Sequence, residues 1–246
     1  VSESIVIAGR KPVLEALKAT AKVDIVFFQR GIKGELLKEI SELAGKRRIQ
    51  VSEIDAKKFA DLTRGHETTQ GVAAKVQAFQ TVALQELISL SLKRNKLLLA
   101  LDSVQDPHNL GAIIRSAECA GVDGIIVTKH GSAPLNITAF KTSAGAAAHM
   151  KIAEVNNLVA AIEECQKAGF WSLGLALEDN PHKPKIDYTS PLLVISGNEE
   201  KGIRRLVKDK CDFIVTIPML GKIQSLNVSV ATGVTLFNIL RERGIW

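Results

Sequence analysis

The 246-residue chain is informative first in what it lacks. No apolar run approaches the roughly 18 residues that would be needed to span a bilayer. Val1-Ser2-Glu3-Ser4 has none of the basic-then-apolar character of a secretion signal, so a cytoplasmic location is the expectation. Cys119, Cys165 and Cys211 are odd in number, far apart, and each in or beside an apolar segment. That pattern points to small buried hydrophobes rather than disulfides. The five histidines form no H-x-x-x-H or Cys/His cluster, and no metal site is expected. No internal repeat or low-complexity tract interrupts the chain.

What is present reads as a globular protein, with 46% hydrophobic and 24% charged residues. The net charge of +6 is unevenly placed. Residues 1–79 hold 14 Lys+Arg against 10 Asp+Glu, residues 80–96 three against one, and residues 97–246 fifteen of each. A basic part joined to a neutral one suggests that the first meets a polyanion while the second does something else. Scatter over a solvated surface is the alternative.

Residues 1–79 alternate helical and strand-like patterns and predict a small α/β sandwich. Helices are expected around Val13 to Leu17, Leu36 to Leu43 (closed by Gly45) and Ala56 to Leu62. Strands are expected at Val23 to Phe28, Ile49 to Ile54 and Gly71 to Val76. Lys46-Arg47-Arg48 reads as a solvated turn, and Arg64-Gly65-His66-Glu67-Thr68-Thr69-Gln70 as an exposed polar loop of the kind that contacts partners. Residues 80–96, with Leu84, Leu87, Ile88 and Leu92 at helical spacing before a polar end, are taken as a linker. From residue 97 apolar strands at 97–101, 124–127, 172–177, 192–196 and 213–217 alternate with helices near 109–120, 156–168, 203–209 and 228–243. That alternation predicts a parallel sheet covered on both faces.

Three loops after strands are polar and carry glycine. In the first, Asp102-Ser103-Val104-Gln105-Asp106-Pro107-His108-Asn109-Leu110-Gly111, Asp106-Pro107 forces a turn and Asn109 can cap the next helix. Arg115 follows six residues after Asn109, so the two need not share a face. In the second, Ser196-Gly197-Asn198-Glu199-Glu200-Lys201-Gly202, the glycine spacing of a phosphate loop ends in Ile203-Arg204 where Lys-Ser/Thr would be required. No G-x-G-x-x-G occurs either, so the common dinucleotide fingerprint is absent. The third runs from Thr216 to Asn227 into a helix whose Val230, Val234, Phe237 and Leu240 are expected to be its buried stripe, with Arg241 and Arg243 at its negative pole and Gly244 as its stop. Ser225 and Asn227 suit a helix cap, or a loop that holds a ligand on backbone amides.

In order and spacing, D-x-V-x-D-P-H-N-L-G-A-I-I-R-S-A, L-V-I-S-G-N-E-x-x-G-I and I-P-M-x-G-x-x-x-S-L-N-V-S-V-A-T-G resemble the three signature motifs of the SpoU (TrmH-type) RNA ribose 2′-O-methyltransferases of the SPOUT superfamily. The likeness covers 97–246. Residues 1–79 resemble the substrate-binding domain of the family's bacterial 23S rRNA guanosine-2′-O-methyltransferases. The resemblance implies a C-terminal parallel-sheet domain with a deep trefoil knot, preceded by a small L30e-like RNA-binding domain. It implies S-adenosylmethionine as cofactor, with Gly197, Ile217 and Leu226 holding it, and Arg115, Asn109, Glu199, Ser225 and Asn227 as the catalytic set. It also implies a homodimer packed through the knotted domain. The small-residue run 142–148 could pack there, or inside one subunit. The substrate implied is RNA, foremost a guanosine of 23S rRNA, with tRNA methylation or a non-catalytic role in ribosome assembly as alternatives. Within such a site Arg115 is not a conventional base, because guanidinium stays protonated. It is expected to pair with an RNA phosphate and the incipient alkoxide.

Overall fold

The computed structural model describes residues 4–18, 22–64, 66, 68–77, 79–177 and 185–245. Gly65 and Glu67 of the polar loop lie outside them.

The first sheet has the order β1-β4-β2-β3, formed by β1 (Ser4–Ala8), β2 (Lys22–Gln29), β3 (Gln50–Ile54) and β4 (Val72–Gln77). β4 runs antiparallel to both β1 and β2, while β2 and β3 are parallel. Helices α1 (Arg10–Lys18) and α2 (Glu35–Lys46) bury their apolar stripes, Val13, Leu14 and Leu17 with Leu37, Ile40 and Ala44, against one face. The short α3 (Ala56–Leu62) covers the other through Phe59, and its cap Asp55 accepts the Lys58 amide at 2.9 Å. α2 does not stop at Gly45. It continues one residue to Lys46, and Arg48 takes the left-handed conformation that ends it. Arg47 is not merely solvated, since its guanidinium donates to the carbonyls of Ala16 and Leu17 at the end of α1.

The second sheet is fully parallel, in the order β11-β9-β10-β6-β7-β8-β5. Its strands are β5 (Gln80–Thr81), β6 (Leu97–Leu101), β7 (Gly124–Thr128), β8 (Lys151–Val155), β9 (Trp171–Leu175), β10 (Leu192–Ser196) and β11 (Phe213–Val215). Every residue of β6, β7 and β10 is buried, which is why these strands read as unbroken apolar runs. One face packs on α5 (Pro107–Cys119) and α9 (Val228–Glu242), the other on α4 (Leu84–Leu92), α7 (Leu158–Lys167) and α8 (Arg205–Lys208). The stretch read as a linker is therefore folded: Gln80 and Thr81 pair with β8, and α4 buries Leu84, Leu87 and Ile88.

A short helix, α6 (Ile137–Thr142), lies between the two halves, packing on α5 and on β1. The small-residue run after it is internal: Ala146, Ala147 and Ala148 form one buried 3-10 turn. Cys165 is buried and Cys211 half-buried, but Cys119, at the end of α5, is exposed.

The face of α9 corrects the expectation. Val230 is 49% exposed, Val234 47% and Phe237 37%, whereas Val228, Thr232, Thr235, Leu236 and Ile239 are buried. The two threonines are buried without cost in unpaired groups, because Thr232 Oγ1 donates to the Val228 carbonyl at 2.7 Å and Thr235 Oγ1 to that of Ala231 at 3.0 Å. At its far end Arg243 donates to the carbonyls of Tyr188 and Asn95, both at 2.7 Å, and Gly244 turns left-handed. Among the described residues no helix is long and apolar enough to cross a membrane.

Candidate active site

β10 neighbours β6, and the chain order reverses across that pair, so the loops leaving their carboxyl ends diverge and open a crevice. A cleft of about 310 Å³ lies beyond the ends of β9, β10 and β11. It is lined by Leu175 to Leu177, by the loop Ser196 to Gly202, by Ile217 and Met219, and by Gln224 to Leu226 at the approach to α9.

The loop after β10 is a closed turn. Asn198 and Gly202 exchange both backbone hydrogen bonds at 2.9 Å, and Asn198 Oδ1 accepts the amides of Glu200 and Lys201. Gly197 sits where this turn folds back, and a Cβ there would come within 2.2 Å of the Gly202 carbonyl carbon and 2.3 Å of the Ile203 nitrogen. Only glycine fits without moving backbone. The loop after β6 is tied to this turn from two sides. Asn198 Nδ2 donates to the Ser103 carbonyl at 2.9 Å, and the fully buried Asp102 carboxylate accepts the Arg204 amide at 2.8 Å and Nε at 2.7 Å.

These ties set Glu199 against the start of α5. Its carboxylate accepts Asn109 Nδ2 at 3.1 Å and Asn198 Nδ2 at 3.2 Å, and lies 3.4 Å from the amides of Gln105 and Asp106. Asn109 Oδ1 in turn accepts Asn227 Nδ2 at 2.9 Å. Asn227 caps α9, its Oδ1 accepting the amide and hydroxyl of Ser229 at 2.9 and 2.6 Å. Glu199, Asn109 and Asn227, separated by 90 and 118 residues, thus form one polar chain across all three loops. Asn109 does not cap α5. Asp106 does, accepting the His108 amide at 2.8 Å with Pro107 at the first helical position.

Ser225 lines the cleft together with Glu199, and so do Gly197, Ile217 and Leu226. Arg115 stands apart. It is exposed on α5, two turns beyond Asn109, and makes no hydrogen bond or ion pair among the described residues. Asn198, Asp102 and Arg204 were missed as supports of the site. Asn198 and Asp102 stand within the quoted motifs, but no spacing rule announces their partners. Among the described residues no group of three or more His, Cys, Asp or Glu side chains is placed to hold a metal ion.

A largely apolar cleft floored by a glycine that admits no side chain suits a ligand gripped by main chain. Residues 96–237 match the SpoU rRNA Methylase family, and residues 6–82 match the family described as RNA 2′-O ribose methyltransferase substrate binding. The chain belongs to the SpoU rRNA methylase family. As a SpoU methylase it is an RNA 2′-O-ribose methyltransferase whose cofactor is S-adenosylmethionine. It is 43% identical over 220 residues to a 23S rRNA (guanosine-2′-O-)-methyltransferase RlmB of Xanthomonas axonopodis pv. citri, covering 89% of this chain and 88% of that one. Its fold superposes on an AdoMet-bound rRNA methyltransferase from Sinorhizobium meliloti with a TM-score of 0.76 at 26% identity, over 97% of this chain and 87% of the other. A TrmH/SpoU tRNA modifying enzyme of A. aeolicus matches at a TM-score of 0.55 and 30% identity, over 66% of this chain and 83% of its own. The three residues expected to hold S-adenosylmethionine, Gly197, Ile217 and Leu226, all line this cleft.

Proposed function

We propose that this SpoU methylase transfers a methyl group to the 2′-hydroxyl of a guanosine in 23S rRNA, in the cytoplasm. Residues 1–79 serve as an L30e-like unit that holds the RNA, 80–96 join it to the rest, and 97–246 carry out the transfer. The observation that carries this reading is the Glu199–Asn109–Asn227 chain at the rim of the cofactor cleft, where Ser225 also lies. Identity to a 23S rRNA guanosine methyltransferase along both halves of the chain favours that substrate over tRNA.

S-adenosylmethionine, when bound, supplies an electrophilic methyl group on a sulfonium. A ribose hydroxyl is a weak nucleophile, so the chain's task is to orient it and stabilise the alkoxide that develops as its proton leaves. Asn109 and Asn227 have their amides fixed by Glu199 and by the α9 cap, so they meet the ribose already ordered. Ser225 adds a hydroxyl at the same rim. Arg115, which makes no hydrogen bond or ion pair among the described residues, serves as the cation for the RNA phosphate and the alkoxide. The proton passes to that phosphate or to water.

The active form is a homodimer. Leu220 is 100% and Ile223 77% exposed in the loop before α9, and Val230 and Val234 extend the same apolar character along that helix. A second copy of the knotted domain is the occupant proposed for this surface. The deep trefoil knot is proposed for the segment from β11 to α9, and the Ser196–Thr232 hydroxyl contact of 2.7 Å, which sets α9 against the end of β10, is in keeping with it.

The test is incubation with labelled S-adenosylmethionine and separate pools of 23S rRNA and tRNA. Incorporation into 23S rRNA at one guanosine is the expected result. Incorporation into tRNA alone would replace the substrate, and none into either would favour a non-catalytic role.

A further inference from the structure

α6 is only six residues long, yet both halves of the molecule rest on it. Phe140 meets Phe79 edge-on, with ring centroids 6.2 Å apart and planes at 87°, and packs against both the first sheet's core and the second's. Ile137 lies on the first sheet's core. On the other side the helix approaches α5 so closely that a Cβ at Gly111 would stand 2.6 Å from the Ala139 carbonyl oxygen and from Thr142 Cβ. The position of α6 relative to the start of α5 is therefore fixed by close backbone packing, and the first domain is fixed to α6.

The polar residues at the end of this wedge share one chemistry. Lys141 is exposed and makes no hydrogen bond or ion pair among the described residues. Thr142 Oγ1 lies 3.4 Å from His108 Nδ1, and the next residue is Asn109, whose amide bonds Glu199. On the side of the first domain, His66 is near enough to Lys141 that the ammonium, after burial, helps hold the imidazole's pKa down. The result is a row, Lys141, Thr142, His108, Asn109, leading from α6, on which the first domain rests, to the rim of the cleft. No carboxylate forms an ion pair with either histidine or with the lysine among the described residues. An unneutralised lysine flanked by a hydroxyl and imidazoles is suited to a phosphodiester, which accepts hydrogen bonds and carries one negative charge.

We propose that this row is a backbone track for the RNA, with one phosphate seated on Lys141 and the Thr142 hydroxyl and His108 ring as its further donors. The inference rests on the reading of the chain as an RNA 2′-O-methyltransferase and adds what that reading leaves open: how the first domain sets the register of the strand. Phosphate contacts fix register without reading sequence. Because α6 is locked to both domains, a phosphate held at Lys141 lies at a fixed distance from Asn109. The same contact therefore determines which ribose along the strand reaches the cleft. Lys141 is a binding and positioning residue, and takes no part in the transfer itself.

The experiment compares wild type with Lys141→Ala, Lys141→Glu and Lys141→Arg, with Lys167→Ala on the opposite face of the second sheet as control. It measures protein-free 23S rRNA binding across a salt series, methyl incorporation, and S-adenosylmethionine affinity. Lys141→Ala is expected to weaken RNA binding about fivefold to tenfold and to lower the slope of log K against log salt by about 0.7, the loss of one single-strand phosphate contact. Lys141→Glu should do more, Lys141→Arg should restore binding, and S-adenosylmethionine affinity should stay at the wild-type value in all. If wild type methylates RNA and Lys141→Ala matches Lys167→Ala in affinity and slope, the track is refuted while the enzymatic reading stands. If wild type binds S-adenosylmethionine but methylates and binds no RNA, the enzymatic reading falls and takes the track with it.

Discussion

The two sheets of this molecule are covered differently, and the difference separates their tasks. The parallel sheet buries β6, β7 and β10 completely beneath helices on both faces, and its half, residues 80–246, holds eighteen basic against sixteen acidic side chains. Polar groups that cannot be used inside are gathered at the carboxyl edge, where Glu199, Asn109 and Asn227 meet. The mixed sheet has one face sealed by α1 and α2 and the other covered, among the described residues, by α3, and its residues 1–79 carry fourteen basic against ten acidic side chains. On the proposed reading a cationic methyl donor is received in the nearly neutral half, gripped by backbone, and a polyanion is offered the more basic one. Each half can be challenged without disturbing the other.

The largest effect is expected at Arg115. Arg115→Ala should lower turnover by about two to four orders of magnitude, as does removal of other oriented charge stabilisers, while S-adenosylmethionine titration shows unchanged affinity. Turnover that stays at the wild-type level would remove Arg115 from the site. Next is the cofactor floor. Gly197→Ala forces the Gly202–Ile203 backbone to shift, so cofactor affinity should drop by more than about tenfold and stability by about 1–3 kcal/mol. Calorimetric titration and thermal melting read both, and an alanine variant that binds normally would argue against a main-chain grip at this turn.

The mixed sheet should respond in the opposite sense. Arg30 and Lys33 are exposed in the loop after β2. Replacing each by alanine is expected to lower the log–log salt slope of RNA binding by up to about 0.7, with cofactor affinity untouched. A slope that ignores Arg30 and Lys33 and follows lysines on the helices of the parallel half away from Lys141 would erase the division of labour. The smallest effect is at the junction. Burial first, and the Lys141 charge second, hold the His66 pKa below its ordinary 6.5. The unfolded chain therefore takes up this proton first as the pH falls, and the stability His66 contributes is present above about pH 6.5 and lost below it. Melting temperatures of wild type and His66→Asn should converge or cross between pH 7 and 5.5, and parallel curves would show that His66 is not the titrating group.

How far the sequence announces this architecture depends on what each residue faces. Leu97–Leu101 and Leu192–Ser196 are legible to the residue because strands buried on both sides must be continuously apolar. β8, Lys-Ile-Ala-Glu-Val, keeps two charged positions and so carries no run of that kind, whereas β1, Ser-Ile-Val-Ile-Ala at a sheet edge, has four apolar residues in a row. α9 misleads because it has two apolar stripes, and the inward one includes threonines whose hydroxyls are satisfied within the helix. Periodicity identifies a stripe but not which of two faces inward. Glu199, Asn109 and Asn227 stand together in the quoted motifs, yet their hydrogen bonds span most of the second domain, which no local rule reaches. Arg115 was expected with them, and the single chain leaves it apart, open to the RNA or to a second subunit.

The central claim is that the atom methylated is a ribose oxygen. A 2′-O-methyl group removes the hydroxyl that attacks the adjacent phosphate in alkali, so the bond following it survives hydrolysis. RNA labelled by the wild-type enzyme should, after alkaline digestion, carry its methyl label in alkali-stable dinucleotides beginning with guanosine. Label recovered in mononucleotides would place the methyl on a base and contradict the account.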